Sequence, residues 1–285
     1  MTTTVLLAVL FGALLHAGWN ALIKSGQDAA LDTALLRALG ALAAVPLLLF
    51  TGWPEAPAWP YLIASALIHV AYYATLAGAY RHGDLGLTYP VMRGTAPVLV
   101  GLSSATLLGE ALSPQGWLGV GAVCAGVLVL GLARVTPASH GQRRTALGYA
   151  LANALIIAIY TVVDGQGVRL SGNAVAYVAA LILLNGLPYL LLVLWRREDQ
   201  RAEVLAYFRR RWPLALGGAL ASMGSYGIAL WAMTQAPVAL VAALRETSVL
   251  FAALLATWLL REPFGWRRAA GTLTVLAGVA ALRLA

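Results

Sequence analysis

The chain has little charge. Of its 285 residues only 11% are Asp, Glu, Lys or Arg, against 61% that are hydrophobic, and the mean hydropathy is +0.80. A soluble domain carries roughly 25% charged residues. A chain this poor in charge cannot coat a surface of its size against water, so its solvent is lipid. Cysteine is nearly absent. Cys124 stands alone, which excludes a disulfide framework and a thiolate metal site. The four histidines, His16, His69, His82 and His140, have no His-Glu-x-x-His spacing, and there is no Gly-x-Ser-x-Gly elbow. No Gly-Lys-Ser/Thr follows the glycine-rich stretch Gly116, Gly119, Gly121, Gly126 and Gly131. Intramembrane hydrolysis and ATPase chemistry therefore lack their residues, and no metal or cofactor is expected.

A net charge of +8 would suit nucleic acid. The distribution argues against that partner, because the basic residues fill short gaps between long apolar runs. A membrane helix needs ~20 mostly apolar residues to cross ~30 Å of hydrocarbon. Ten such runs are present, at 4–23, 33–51, 60–80, 85–108, 112–133, 145–164, 173–195, 212–234, 237–260 and 266–284. Met1 to Leu15 lacks a basic n-region and reads as the first span, not a signal peptide. Trp53, Trp59, Trp195, Trp212 and Trp266 fall at span boundaries and read as interfacial anchors.

Alternate loops hold Lys24; Arg81; Arg134, Arg143 and Arg144; Arg196, Arg197, Arg201, Arg209, Arg210 and Arg211; and Arg261, Arg267 and Arg268, which makes 14 basic residues on one side. The other side has Arg169 and Arg283 only. The basic side is expected to be cytoplasmic, which puts both termini of this multi-pass inner-membrane protein outside.

The chain also repeats itself. A shift of 152 aligns residues 93–133 with 245–285, with 14 of 41 pairs identical. Arg93/Arg245, Thr95/Thr247, Glu110/Glu262, Gly119/Gly271 and Gly126/Gly278 are the informative matches. Tyr73 pairs with Tyr226 across a one-residue gap, and residues 12–24 align weakly with 152–164. Each half has five spans, an odd number, so the second half must insert upside down. The loops agree: 52–59 has no Lys or Arg, while its counterpart 196–211 has six. The expected fold is an all-α membrane protein of two inverted five-helix repeats around a central cavity, divided as 1–135, a central cytoplasmic loop 136–144, and 145–285. That architecture belongs to secondary transporters.

Local motifs point the same way. The first span reads Leu15-His16-Ala17-Gly18-Trp19-Asn20-Ala21-Leu22-Ile23-Lys24, and Arg37 comes early in the second. Leu108-Gly109-Glu110 follows the fourth span, and Leu260-Arg261-Glu262-Pro263 follows the ninth, with Arg in place of Gly. Together these resemble the drug/metabolite transporter superfamily, specifically its EamA-type members, over the whole chain. The resemblance implies export or uptake of amino acids, organic acids or other metabolites without ATP. Better-known members keep their termini in the cytoplasm, whereas the charge count here puts them outside.

Ionisable groups at bilayer depth cost at least ~2.5–3.5 kcal/mol and mark functional sites. Arg93 and Arg245 each lie eight residues into their span, ~12 Å deep from opposite faces. They are candidates to bind an anionic solute group by bidentate bonds. The competing assignment pairs Arg245 with Glu246 or Asp164, and Arg93 with backbone carbonyls. Pro90 and Pro97 bracket Arg93 and are candidates for a break or hinge. His16, Trp19 and Asn20 in the first span, His69, Tyr72 and Tyr73 in the third, and Ser222, Ser225 and Tyr226 in the eighth form polar-aromatic stripes suited to an amphiphilic solute, or to interhelical hydrogen bonds. Glu246, or a histidine, is a candidate coupling group; its alternative role is counter-ion to the arginines. Lys24, Arg37 and Asp164 fall near span ends. The first two are gating candidates, with snorkelling to the interface as the alternative. The glycine stretch is expected to pack helices closely, or to form a homodimer face.

The basic excess at depth, counted against Glu246 alone, favours an anionic or zwitterionic small-molecule substrate such as an amino acid, organic acid or phosphonate. The reading is a secondary exporter working by alternating access. Its rivals are a non-transporting membrane partner and, further off, an intramembrane enzyme. A reporter that is active only outside the cytoplasm, fused after Ala285, is expected to be active; activity only from a cytoplasmic reporter would overturn the orientation.

Overall fold

In lipid every backbone polar group must be satisfied within its own segment, and each of the long apolar runs is helical, the ninth in two pieces. A computed structural model of the protein describes residues 1–24, 26–82, 85–132, 140–260 and 265–285. Its helices are α1 (Thr3–Lys24), α2 (Ala29–Thr51), α3 (Trp59–His82), α4 (Leu85–Leu107), α5 (Pro114–Leu132), α6 (His140–Arg169), α7 (Ala174–Arg196), α8 (Arg201–Met233), α9 (Val238–Arg245), α10 (Ser248–Leu260) and α11 (Trp266–Leu284). Among the described residues, eight stretches are long and apolar enough to cross a membrane. The other two spans are α4, which buries Thr88 and Ser104 inside the bundle, and α11, which opens with Arg267 and Arg268.

Several boundaries differ from the sequence reading. The sixth span starts at His140 and runs to Arg169, so residues 140–144 of the expected central loop are helical. The eighth starts at Arg201, so most of the basic loop 196–211 is a helical extension. The ninth span is not one helix but two, α9 and α10, divided at Glu246 and Thr247. There the amides of Glu246 and Thr247 donate to Ala243 and Leu244, three residues back, and the Thr247 hydroxyl also donates to the Leu244 carbonyl at 2.7 Å. Such local bonding competes with the α-helical ladder. The fourth span, where the break was expected, is continuous through Pro90 and Pro97. Pro90 instead fills the space over Gly131, where a Cβ would sit 1.8 Å from its Cγ.

The two halves pack with the symmetry that the repeat demands. α2 lies on α7, α4 on α9, and α5 on α11, each against its repeat mate; α1 packs on α8 as α3 packs on α6. Asp28 caps α2 and Asn173 caps α7, each side-chain oxygen accepting from two backbone amides. The α5–α11 contact is antiparallel. A Cβ on Gly126 would meet the Gly271 carbonyl oxygen at 2.8 Å, and one on Gly278 would meet the Val123 amide at 2.7 Å. The repeat-related glycines thus meet crosswise: Gly126 faces Gly271, and Gly119 faces Gly278. Gly119 and Gly126 are used within the chain, which removes them from the homodimer face considered above.

The ends separate as the charge count implied. At one end Arg197 pairs with Asp28 at 2.7 Å and Arg211 with Asp32 at 3.1 Å. At the other, the Glu55 amide donates to the Ser171 carbonyl, and Arg283 donates to the Met1 carbonyl and the Thr3 hydroxyl. Both Gly126→Ala and Gly278→Ala force backbone apart. Each is expected to destabilise the fold by about 1–3 kcal/mol, read as a lowered melting temperature in detergent, while Gly121→Ala, with open space at its Cβ, leaves it unchanged.

Candidate functional site

The bundle gathers polar side chains from both halves. Arg93 on α4 places Nε 2.8 Å from Glu246 Oε2, with side-chain exposures of 12% and 5%. The two atoms meet off-axis, so the contact is an ion pair without an aligned hydrogen bond. This departs from both earlier assignments: Glu246 belongs to Arg93, not Arg245, and Arg93 is held by a carboxylate, not by carbonyls. The asymmetry has a source in the repeat. The position matching Glu246 in the first half is Gly94, so one half supplies a carboxylate across the interface and the other does not.

Arg245 is half-buried at the end of α9. Its guanidinium lies over the Tyr226 ring at 5.2 Å, and among the described residues it has no ion-pair partner. The Tyr226 hydroxyl donates to Asp164 Oδ2 at 2.5 Å, and Tyr177 donates to Oδ1 at 2.9 Å. Asp164 is fully buried. The sequence reading set it near a span end; the extension of α6 to Arg169 moves it into the interior. Two arginines thus face two carboxylates, and the basic excess counted from sequence disappears.

His16 lies within electrostatic range of both Arg93 and Arg245, which brings the first span to the same place. The His16 ring meets Trp19 edge-on at 5.2 Å. Among the described residues the buried Trp19 Nε1 has no hydrogen-bond acceptor, and buried donors of that kind call for an explanation. Asn20 is less available, since it donates to the His16 carbonyl at 2.7 Å. On α3, His69, Tyr72 and Tyr73 join an aromatic ladder with Tyr160 and Tyr189. His69 meets Tyr160 at a tilt of 32° with centroids 4.6 Å apart, and Tyr73 approaches Tyr189 at 5.8 Å. Ser225 is buried and Ser222 half-buried on α8. Arg37 on α2 makes no hydrogen bond or ion pair among the described residues; the Tyr189 and His69 rings are its electrostatic neighbours. The Lys24 side chain and residues 261–264, which include Glu262, lie outside the described residues.

Sequence reasoning missed Tyr160, Tyr177, Tyr189 and the depth of Asp164. Tyrosine in an apolar run is ordinary, so only proximity singles these out. It named Glu110 as a motif residue without a task. Glu110 accepts from the Val238 amide at 2.8 Å and from Arg169 at 2.6 Å, and Arg169 also donates to the Met233 carbonyl at 2.8 Å. A carboxylate at the first turn of α9 offsets the positive helix end and ties the two halves at this face. At the opposite face Asp28 and Asp32 on the first half hold Arg197 and Arg211 on the second. Burial works against the charged form of Asp28, yet the Leu31 amide and the Arg197 guanidinium hold its pKa below the usual range. A cavity of about 400 Å³ opens beside that pair, lined by Asp28, Leu31, Arg197, Glu203, Tyr207 and Arg210 among others.

Comparison with known proteins agrees with this architecture. The family model for the EamA-like transporter family matches residues 3–132 and again 144–284. The chain belongs to the EamA-like transporter family. A solved structure described as "Crystal structure of protein" superposes with a TM-score of 0.74 at 19% identity, covering 100% of this chain and 98% of that one. At that identity the likeness is one of fold alone. No curated protein matches the chain in sequence. As an EamA-like protein it is a multi-pass membrane transporter of the drug/metabolite superfamily.

Removing one member of a buried ion pair strands the other. Arg93→Ala is expected to destabilise the protein by about 3–5 kcal/mol. The double change Arg93→Ala with Glu246→Ala recovers part of that loss, in denaturant titrations followed by tryptophan fluorescence.

Proposed function

We propose that this EamA-like protein is a secondary carrier that moves a small anionic or zwitterionic solute across the inner membrane by alternating access, in the direction of export, with both termini outside. The observation that carries the reading is the state of the two deep arginines. Arg93 is neutralised by Glu246, whereas Arg245 lies over the face of Tyr226 and has no ion pair among the described residues. A guanidinium at bilayer depth without a carboxylate is costly, and a solute carboxylate, phosphonate or phosphate would satisfy it through paired N–H donors. Trp19 Nε1 offers a second donor without an acceptor.

His16, Tyr72, Tyr73 and His69 supply ring faces near that anchor, with Ser225 and Asn20 as smaller polar contacts. Asp164, which accepts from the Tyr226 hydroxyl, supplies the opposite charge. Two arginines balanced by two carboxylates suit a zwitterion such as an amino acid better than a dianion, because entry of a net-neutral solute leaves the buried charge unchanged. Glu246 serves as counter-ion to Arg93.

The transport cycle follows from the ties at the two ends. Glu110, Arg169 and Val238 join the halves at one face, while Asp28–Arg197 and Asp32–Arg211 join them at the other. Access to one side requires that side's ties to open while the others hold, with the turn at Glu246 and Thr247 as the flexible point beside the solute. Arg37 and Lys24 act as gating residues near the basic end, and Pro90 and Pro97 keep α4 shaped around Arg93.

The test is reconstitution. A thermal-shift screen of amino acids, organic acids and phosphonates on the purified protein identifies a solute, and counterflow in proteoliposomes measures its transport. Arg245→Ala is expected to lower transport about 10- to 100-fold, the worth of one charged hydrogen-bonding group, with Arg245→Lys intermediate. Unchanged transport in Arg245→Ala, or stabilisation by cationic compounds only, rejects the anion anchor.

A further inference from the structure

Asp164 is a buried carboxylate that the solute reading uses only as a distant counter-charge. Every element around it contributes a titratable or polar neighbour. Tyr177 on α7 and Tyr226 on α8 donate to it. His69 on α3 lies within electrostatic range, and Ser65, one turn before His69, is buried on the same helix. Tyr160 lies one turn before it on α6 and is also in electrostatic range. From α9, Arg245 lies over the Tyr226 ring, 5.2 Å from its centroid. Among the described residues no guanidinium or ammonium pairs with Asp164, in contrast to Glu246, which Arg93 holds at 2.8 Å.

The hydrogen bonds define two states. As a carboxylate, Asp164 accepts from both phenols. As a carboxylic acid it gains an O–H that needs an acceptor, and the oxygen that carries it becomes a weaker acceptor, so the phenol on that oxygen is held less tightly. Tyr177 is fully buried, and its hydroxyl fills the gap over Gly167, where a Cβ would meet it. It has no room to turn. Tyr226 is half-buried and is free to respond, and its ring carries Arg245. A proton arriving at Asp164 therefore acts first on the side chain that touches the solute anchor.

We infer that Asp164 is a proton-binding site of this carrier and that Tyr226 links its occupancy to Arg245. The inference deepens the reading given under the proposed function and rests on it for the role of Arg245. Intramembrane carboxylates commonly serve as proton relays in transporters, and linkage through a shared side chain is reciprocal: whatever binds at Arg245 changes the affinity for the proton by the same factor. Among the described residues no cluster suited to a metal ion competes for the site.

Infrared difference spectra between neutral and acidic buffer, taken on the full chain in proteoliposomes with the proton as the only added ligand, test the assignment. The wild type is expected to show a protonated-carboxyl stretching band that Asp164→Asn abolishes. Tyr226→Phe, which keeps the ring on Arg245 and removes only the hydroxyl, is expected to shift the band and covers the case in which Asp164→Asn does not fold. Arg245→Gln is expected to move the pH midpoint of the band. A spectrum unchanged in Asp164→Asn or in Tyr226→Phe, a band lost instead in Glu246→Gln, or a band that answers to sodium at constant pH overturns the site. An unmoved midpoint in Arg245→Gln overturns the link. These spectra need no solute, so failure of the transport test at Arg245 and failure of the proton site are separable.

Discussion

The Arg93–Glu246 pair is the contact on which the site depends. A charge at bilayer depth has no water to turn to. The first half contributes the guanidinium and the second the carboxylate, so neither half satisfies its own charge. The pair therefore acts as a condition on assembly. It also fixes the asymmetry of an otherwise symmetric molecule: Gly94 stands where the second half has Glu246, and among the described residues Arg245 lies on an aromatic face without an ion pair.

The remainder of the fold brings that pair together and holds it. The α5–α11 seam uses matched glycines so that backbones approach within contact distance, a geometry that favours packing where the hydrophobic effect gives no drive between helices. The ninth span gives up continuity at Glu246 and Thr247. In a soluble helix that break would be a minor irregularity. In a membrane it is tolerated only inside protein or beside a cavity, and here it falls next to both deep arginines. The capping of α9 by Glu110 ties the halves at one face, and the Asp28–Arg197 and Asp32–Arg211 pairs tie them at the other.

Tyr226 joins the two chemistries of the site. Its ring is the platform for Arg245 and its hydroxyl is the ligand of Asp164. A single side chain that touches both the proposed anion anchor and a buried carboxylate gives the proposed coupling a short physical path, with no need for a signal carried across the bundle.

The amino-acid sequence by itself determined the lipid environment, the number of spans, the alternation of basic and non-basic ends and the inverted repeat, because hydropathy, span length and loop charge are local properties that the bilayer reads directly. It also named Arg93, Arg245, Glu246 and Tyr226 as residues of interest. Only the tertiary structure decided the partners: Glu246 with Arg93, Tyr226 with Arg245 and Asp164, and Glu110 with Val238 and Arg169. It moved Asp164 from a span end to the interior, and it put the break in the proline-free ninth span while leaving the two-proline fourth span whole. The reason is common to all of these. Which of several charges and hydroxyls meet depends on which helix faces cross between the halves. That is a property of packing, and the spacing of residues along one span does not contain it.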